Sequence, residues 1–292
     1  MAASLAVPVV AVLAAACGSS GKTTSAASIA PPKAVSSVAA QVPKAIKSKG
    51  SLTIAADATY APNEFIGPDG HTVVGMDADL AKALGHVMGL RVNMVNATFD
   101  TIIPGIVSGK YDLGMSSFTD TLARQQTVNF VTYFVAGTSL YVKTSGGPNI
   151  RSLADLCGHK VAVEKGTTQQ ADAQAQNKKC KSAGKPAVSL QIFNDQNAVN
   201  LALSSGRAEV AMADSPVAAY QVKQSNGTFK LSGKSYGTAP YGIAMAKNRG
   251  LDNPVLAAMK VLISNGTYAK ILKKWGIQAG AITNPVINGA TS

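Results

Sequence analysis

The sequence predicts an α/β protein of two compact units, each a mostly parallel sheet flanked by helices. Three observations carry this. From Ser51 onward, short apolar runs alternate with segments of helical periodicity. A second series of the same kind begins after the break Gly146-Gly147-Pro148. The chain has 292 residues and is 46% hydrophobic, more than a single core usually organises.

The elements follow in order. Leu52–Ala55 reads as a strand, with a turn at Gly67-Pro68-Asp69-Gly70. Leu80, Ala83, Leu84, Val87 and Met88 recur at helical spacing, and Asp77 and Asp79 open that helix as first-turn acids favoured by its dipole. Val92–Val95 is a strand, Ile102–Val107 a short helix and Tyr111–Met115 a strand. In the second series, strands are expected at Val161–Val163, Val188–Ile192 and Glu209–Ala213, with helices at Gln169–Asn177 and Gln196–Ser204. Ser215-Pro216 starts another helix, proline being tolerated in a first turn. Tyr241–Ala246 is a strand, and two helices close the pattern, one from Asn253-Pro254 to Ile263 and one over Gly266–Trp275.

The N-terminus reads differently. MAASLAVPVVAVLAAAC is an apolar run too short for a stable membrane span, ending in small residues before Cys17. This predicts an export signal over residues 1–16. Ala15-Ala16-Cys17-Gly18 resembles a bacterial lipoprotein box, with Cys17 as the lipidated mature terminus, and ordinary secretory cleavage is the alternative. Residues 17–50 are rich in Ser, Ala, Pro and Lys and predict a flexible tether. GSSGKTT inside it is no phosphate loop, because its glycine spacing is too short and no strand precedes it.

Net charge is +12, with five of the 27 basic residues and none of the 15 acids in residues 1–50. The remaining basic residues are scattered, which leaves no footprint for nucleic acid. His71, His86 and His159 share no ligand spacing, so neither a metal nor another cofactor is expected. Cys157 and Cys180 form one even pair in an exported chain and predict a disulfide.

Four polar clusters stand immediately after predicted strands: Asp57 to Tyr60, Ser116 to Arg124, Gly166 to Gln169 (with Thr167 and Thr168), and Asp214. In open α/β sheets, ligands bind at the C-terminal ends of strands. Two clusters fall in each unit, so a ligand between the units could touch all four. Their chemistry suits an α-amino acid. Arg124 can grip a carboxylate, helped by backbone N–H groups of Ser116–Thr119 and the helix start at Thr168. Asp214 and the Thr119 hydroxyl can accept from an ammonium, while Tyr60 and Phe99 can wall a side chain. Taken singly, Arg124 also fits a surface ion pair, Asp214 a helix cap, and Tyr60 and Phe99 ordinary packing.

Six motifs carry a resemblance: DATYAPNEF, GMDADLAKALG, FDTIIPGIVSGKYDLGMSSFTDTLAR, LCGHKVAVEKGTTQ, ADSPVAAY and NGTYAKILKKWG. In order and spacing, from about Ser51 to Gly276, the chain resembles the extracellular solute-binding proteins of polar amino-acid ABC importers (bacterial solute-binding protein family 3). The resemblance implies a two-lobed periplasmic-binding-protein-like fold joined by two crossover strands. Lobe 1 would hold 51–135 and 238–292, and lobe 2 would hold 139–234. It assigns Arg124, Thr119 and the Thr168 amide to the ligand carboxylate, and Asp214 with the Ser117 carbonyl to the ammonium. Tyr60 and Phe99 would sandwich the side chain, with Asp57 and Gln169 at its far end. Asn63 departs from the phenylalanine such proteins often carry before Glu-Phe. A Cys157–Cys180 pair resembles a Gram-positive subset of the family.

The expected partners are therefore a free amino acid, the membrane permease of an ABC importer and, through Cys17, the membrane itself. The protein is expected to act as a monomer on the extracellular face. Asp57 favours a basic side chain, such as arginine, lysine or ornithine, and then glutamine. Two other classes share the fold: a cyclic-carboxylate dehydratase and a ligand-sensing subunit for a membrane receptor.

Overall fold

The structure, a computed structural model, describes residue 1 and residues 29–290. The export signal, Cys17 and GSSGKTT lie outside the described residues. The expected tether is helical where it is described from Ser36 on. Two short helices, α1 (Ser36–Gln41) and α2 (Lys44–Lys49), lead into the first strand. Val38 and Val42 are buried against the first lobe, and the Val35 N–H donates to the Val87 carbonyl (3.0 Å). Only one apolar side per short helix is needed for this docking, which a composition rich in Ala, Ser and Lys conceals.

The first series runs β1 (Ser51–Ala56), β2 (Thr59–Tyr60), β3 (Glu64–Ile66), β4 (Val73–Val74), α3 (Met76–Met88), β5 (Arg91–Asn96), α4 (Phe99–Val107), β6 (Leu113–Gly114) and α5 (Leu122–Gln125). Helix α3 buries Leu80, Leu84, Val87 and Met88 on one face and stops at Gly89, whose φ of 71° makes the left-handed cap that glycine adopts without cost. A long strand, β7 (Val128–Lys143), then leads into the second series. That series is β8 (Lys160–Glu164), α6 (Thr168–Ser182), β9 (Ser189–Phe193), α7 (Gln196–Ser204), β10 (Val210–Asp214) and α8 (Ser215–Gln224). A second long strand, β11 (Phe229–Ala246), returns, and α9 (Asp252–Ser264) and α10 (Thr267–Trp275) pack on the first lobe.

Strand order is β5-β1-β6-β11-β7-β10-β8-β9. The two expected crossover strands are β7 and β11, which pair antiparallel through both lobes and join the sheets of the two lobes into one ladder. β1, β5 and β6 are parallel on one side of this pair, and β8, β9 and β10 are parallel on the other. Most of β7 and the first half of β11 escape periodicity because Gly137, Thr138, Ser139 and the run KLSGKSYGT look like loop. Between the lobes their register shifts, at Ser232/Tyr236 and Tyr236/Ala239. There a Cβ on Gly137 would meet the Ser235 Oγ at 2.6 Å and the Tyr236 carbonyl at 2.7 Å, so the strands cross only because this residue has no side chain.

Each lobe has its own core. Leu52, Ile54, Leu84, Leu113, Tyr133, Ile243 and Leu262 fill the first. Val161, Val163, Val210 and Met212 belong to the second, with Cys180 beside them. The Cys157–Cys180 disulfide is formed, with Cα atoms 5.6 Å apart. It ties the turn before β8 to α6, whose buried residues Gln169, Ala173, Gln176 and Cys180 make a single stripe at helical spacing.

Candidate functional site

The C-terminal ends of β1, β6, β8 and β10 converge on one narrow cleft between the lobes. Its lining contains all eleven residues singled out from the sequence: Asp57, Tyr60, Phe99, Ser116, Ser117, Thr119, Arg124, Thr167, Thr168, Gln169 and Asp214. Two acids that sequence reasoning missed, Glu64 and Glu164, complete it.

Arg124 marks one end. It is half-buried, with its guanidinium carbon 5.3 Å from the Phe99 ring centroid and 5.4 Å from that of Phe118. Those two rings stack at 4.5 Å, so Phe99 serves as a platform for the cation as well as a wall. Nη1 donates to the Thr119 carbonyl (2.8 Å) and Nη2 crosses to the Gly166 carbonyl of the other lobe (3.0 Å). Desolvation pulls its pKa down to about 10, which leaves it charged at neutral pH. Among the described residues it forms no ion pair. Thr168 is the first residue of α6, whose first-turn N–H groups have no acceptor within the helix. Thr167 is the cap: its hydroxyl accepts from the Gln170 N–H (3.2 Å) and donates to the Glu164 carbonyl (2.7 Å). A guanidinium beside a helix N-terminus forms a carboxylate receptor.

Asp214 faces it from β10. Its carboxylate caps nothing, although it precedes α8. It accepts instead from Tyr241 Oη (2.7 Å) and Gln169 Nε2 (2.7 Å), while its N–H donates to Tyr60 Oη (2.9 Å). Burial raises its pKa to about 6. Tyr241 went unnoticed in the sequence because it lies inside an apolar strand. Gln169 is a correction: its amide also donates to Thr138 Oγ1 (2.9 Å), which commits it to the Asp214 end and not to the far end beside Asp57.

The far end belongs to Asp57 and Glu164, one from each lobe, at 3% and 2% exposure. Asp57 accepts from Thr59 Oγ1 (2.6 Å) and the Phe99 N–H (2.9 Å). Glu164 Oε1 is buried without a protein donor. Burial raises the pKa of both, Glu164 well above the carboxylate range, and each adds to the other's environment. The charge of Asp214 acts on both Arg124 and Glu164.

Two expectations change. The Ser117 N–H, expected among the carboxylate donors, is committed to Asp77, and the Ser116 and Ser117 hydroxyls donate to Glu64 at 3.0 and 3.2 Å. Ser117 has φ 50°, held by its N–H to Asp77 Oδ2 (2.8 Å). Asp77 is likewise more than a dipole acid. It is buried, accepts from Tyr133 Oη (3.0 Å) and sits against Glu64; burial raises both pKa values, that of Asp77 to about 6, and the charge of Asp77 pushes Glu64 up further. Gly75 permits this approach, since a Cβ there would lie 2.2 Å from the Asn63 carbonyl. Asn63 does not line the cleft. It donates to Ser117 Oγ (2.9 Å) and so supports the loop from below.

The lobes meet around the cleft. Besides Arg124–Gly166, Tyr60–Asp214 and Tyr241–Asp214, the Gln196 N–H donates to Thr59 Oγ1 (3.1 Å) and Lys165 pairs with Asp100 at 2.8 Å.

Residues 52–278 match the bacterial extracellular solute-binding proteins, family 3. The arginine-binding protein ArgT of Corynebacterium glutamicum is 32% identical over 88% of this chain and 84% of its own length. The ABC transporter glutamine-binding protein GlnH of Bacillus subtilis is 32% identical over 71% of this chain and 74% of its own. A solved ancestral arginine-binding protein bound to arginine superposes with a TM-score of 0.71 at 37% identity, covering 77% of this chain and 98% of that one. Fold, cleft and sequence agree: this chain belongs to the bacterial extracellular solute-binding proteins, family 3.

Proposed function

We propose that the protein binds a free L-amino acid with a cationic side chain, arginine foremost, and presents it to the permease of an ABC importer. The observation that carries this is the pairing of Asp57 and Glu164 in the cleft, with no cationic side chain among the described residues on either. A guanidinium offers a fork of donors to two such carboxylates. The ligand carboxylate goes to Arg124 and the Thr168 N–H, its ammonium to Asp214, and its side chain lies along Tyr60 and Phe99. The full set of bonds needs both lobes, so closure is what the ligand stabilises. The protein binds its solute and does not transform it. We also assign the lipid anchor to Cys17 and the working state to a monomer held at the extracellular face.

Titration calorimetry with arginine, lysine, ornithine, citrulline, glutamine and glutamate tests the reading. Arginine should bind tightest, and citrulline, its neutral isostere, at least about tenfold more weakly, as the loss of one charged hydrogen-bonded pair implies. Glutamine or glutamate binding more tightly than arginine would overturn it.

A further inference from the structure

Asp57 and Glu164 approach each other from opposite lobes, and the groups that face them are almost all acids. Glu164 sees Asp57, Asp195 and Asp214, with the phenols of Tyr60 and Tyr141 beside it. Asp57 sees Glu164 and Asp195, and Glu64 lies behind it. Lys165, next in the chain to Glu164, is turned to Asp100 at 2.8 Å and neutralises neither. Arg124 is spent on the other end, at the Thr119 and Gly166 carbonyls. Asp57 already accepts from Thr59 Oγ1 and the Phe99 N–H, two bonds that favour its charged form. Glu164 Oε1 has no donor among the described residues. Two charged carboxylates in contact in a buried cleft are unfavourable, and the one with fewer donors keeps a proton.

We propose that Glu164 and Asp57 share one proton, held on Glu164, and that a cationic side chain displaces it, whereas a neutral side chain leaves it in place. The exchange balances. The Glu164 O–H bond breaks, its proton passes to buffer, and N–H donors of the ligand guanidinium or ammonium take its place between two carboxylates. With a neutral amide or ureido group, Glu164 stays protonated and donates to the ligand carbonyl. Glu164 thereby sets the choice between cationic and neutral ligands as a function of pH. Burial, and then the charge of Asp57, hold its pKa well above the usual range, which favours the protonated form. The proposal rests on the reading of the cleft as a site for basic amino acids.

Calorimetry of the full chain in buffers of different ionisation enthalpy counts the protons. Above about pH 7, where Asp214 is already charged, and below the Glu164 pKa, arginine binding should release close to one proton, and its Kd should tighten by up to about tenfold per pH unit over that range. Citrulline should release about none, with a Kd flat over the same range. In Glu164→Gln, proton release over this range should vanish and arginine should lose at least about tenfold in affinity, with an unchanged circular dichroism spectrum showing that the variant is folded. Tight arginine binding with no proton released at any pH would overturn the proposal while leaving the function intact. Release that persists in Glu164→Gln would overturn it too. Absence of arginine binding would remove the functional reading, and the proposal with it.

Discussion

Arg124 and Asp214 stand in different lobes, and each holds a charge whose best partner is the opposite end of a zwitterion. Removing either leaves a ligand charge buried without its counterpart. Arg124→Ala and Asp214→Ala should therefore each weaken arginine binding by at least about 2–3 kcal/mol, read by calorimetry. Near-unchanged affinity in either variant would reject its role. Why some residues were legible and others not is clear at this scale. Arg124, Asp214 and Thr168 show in the sequence because they follow strands in polar runs, where ligands meet α/β sheets. Glu164 does not, because it is the last residue of the strand KVAVE and reads as its polar end. Asp77 hides for a different reason: a first-turn acid has an adequate local explanation, and only the packing of α3 against Asn63 and Ser117 brings it to Glu64.

At the scale of elements, most boundaries were legible because apolar periodicity and burial coincide. Helix α7 occupies the expected span Gln196–Ser204. The long halves of β7 and β11 were not, because Gly137, Thr138 and Ser139 interrupt the first and the polar, mostly exposed run KLSGKSYGT makes up much of the second. Helices α1 and α2 are the other omission, and they carry a prediction. Deleting residues 1–50 uncovers the seat of Val38 and Val42 on lobe 1. That removes the burial of two valines, which favours the folded chain by about 1.5–3 kcal/mol each before the cost of ordering the segment is set against it. The melting temperature should fall by about 2–6 °C, while arginine affinity stays within about twofold, because the cleft begins at Asp57. A large loss of affinity would mean that this segment shapes the cleft from a distance.

For the whole molecule, several buried acids set how stability responds to pH. Asp77 and Asp214 have pKa values raised to about 6 in the fold, from the ordinary carboxylate value near 4. Between about pH 4 and 6 the folded chain holds more protons than the unfolded one, so stability falls as pH rises through that window. Their contribution is complete below about pH 4 and lost above about pH 6. Scanning fluorimetry of ligand-free protein should give a higher melting temperature near pH 5 than near pH 7.5. Saturating arginine should shrink the difference, since its ammonium favours the charged form of Asp214. A melting temperature that rises from pH 5 to 7.5 without ligand would contradict the burial of these acids.

The crossing of β7 and β11 at Gly137 has a mechanical consequence. Strands bonded to each other along most of their length resist sliding, because every register pair would break together. Bending at the irregular stretch around Tyr236 disturbs few of those bonds. The motion left to the lobes is then close to a single rotation, with the cleft as the short arm of a lever and the outer tips as the long arm. Sub-ångström differences in the length of a ligand side chain are magnified at those tips, where a membrane partner would read them as a gap that fits or does not.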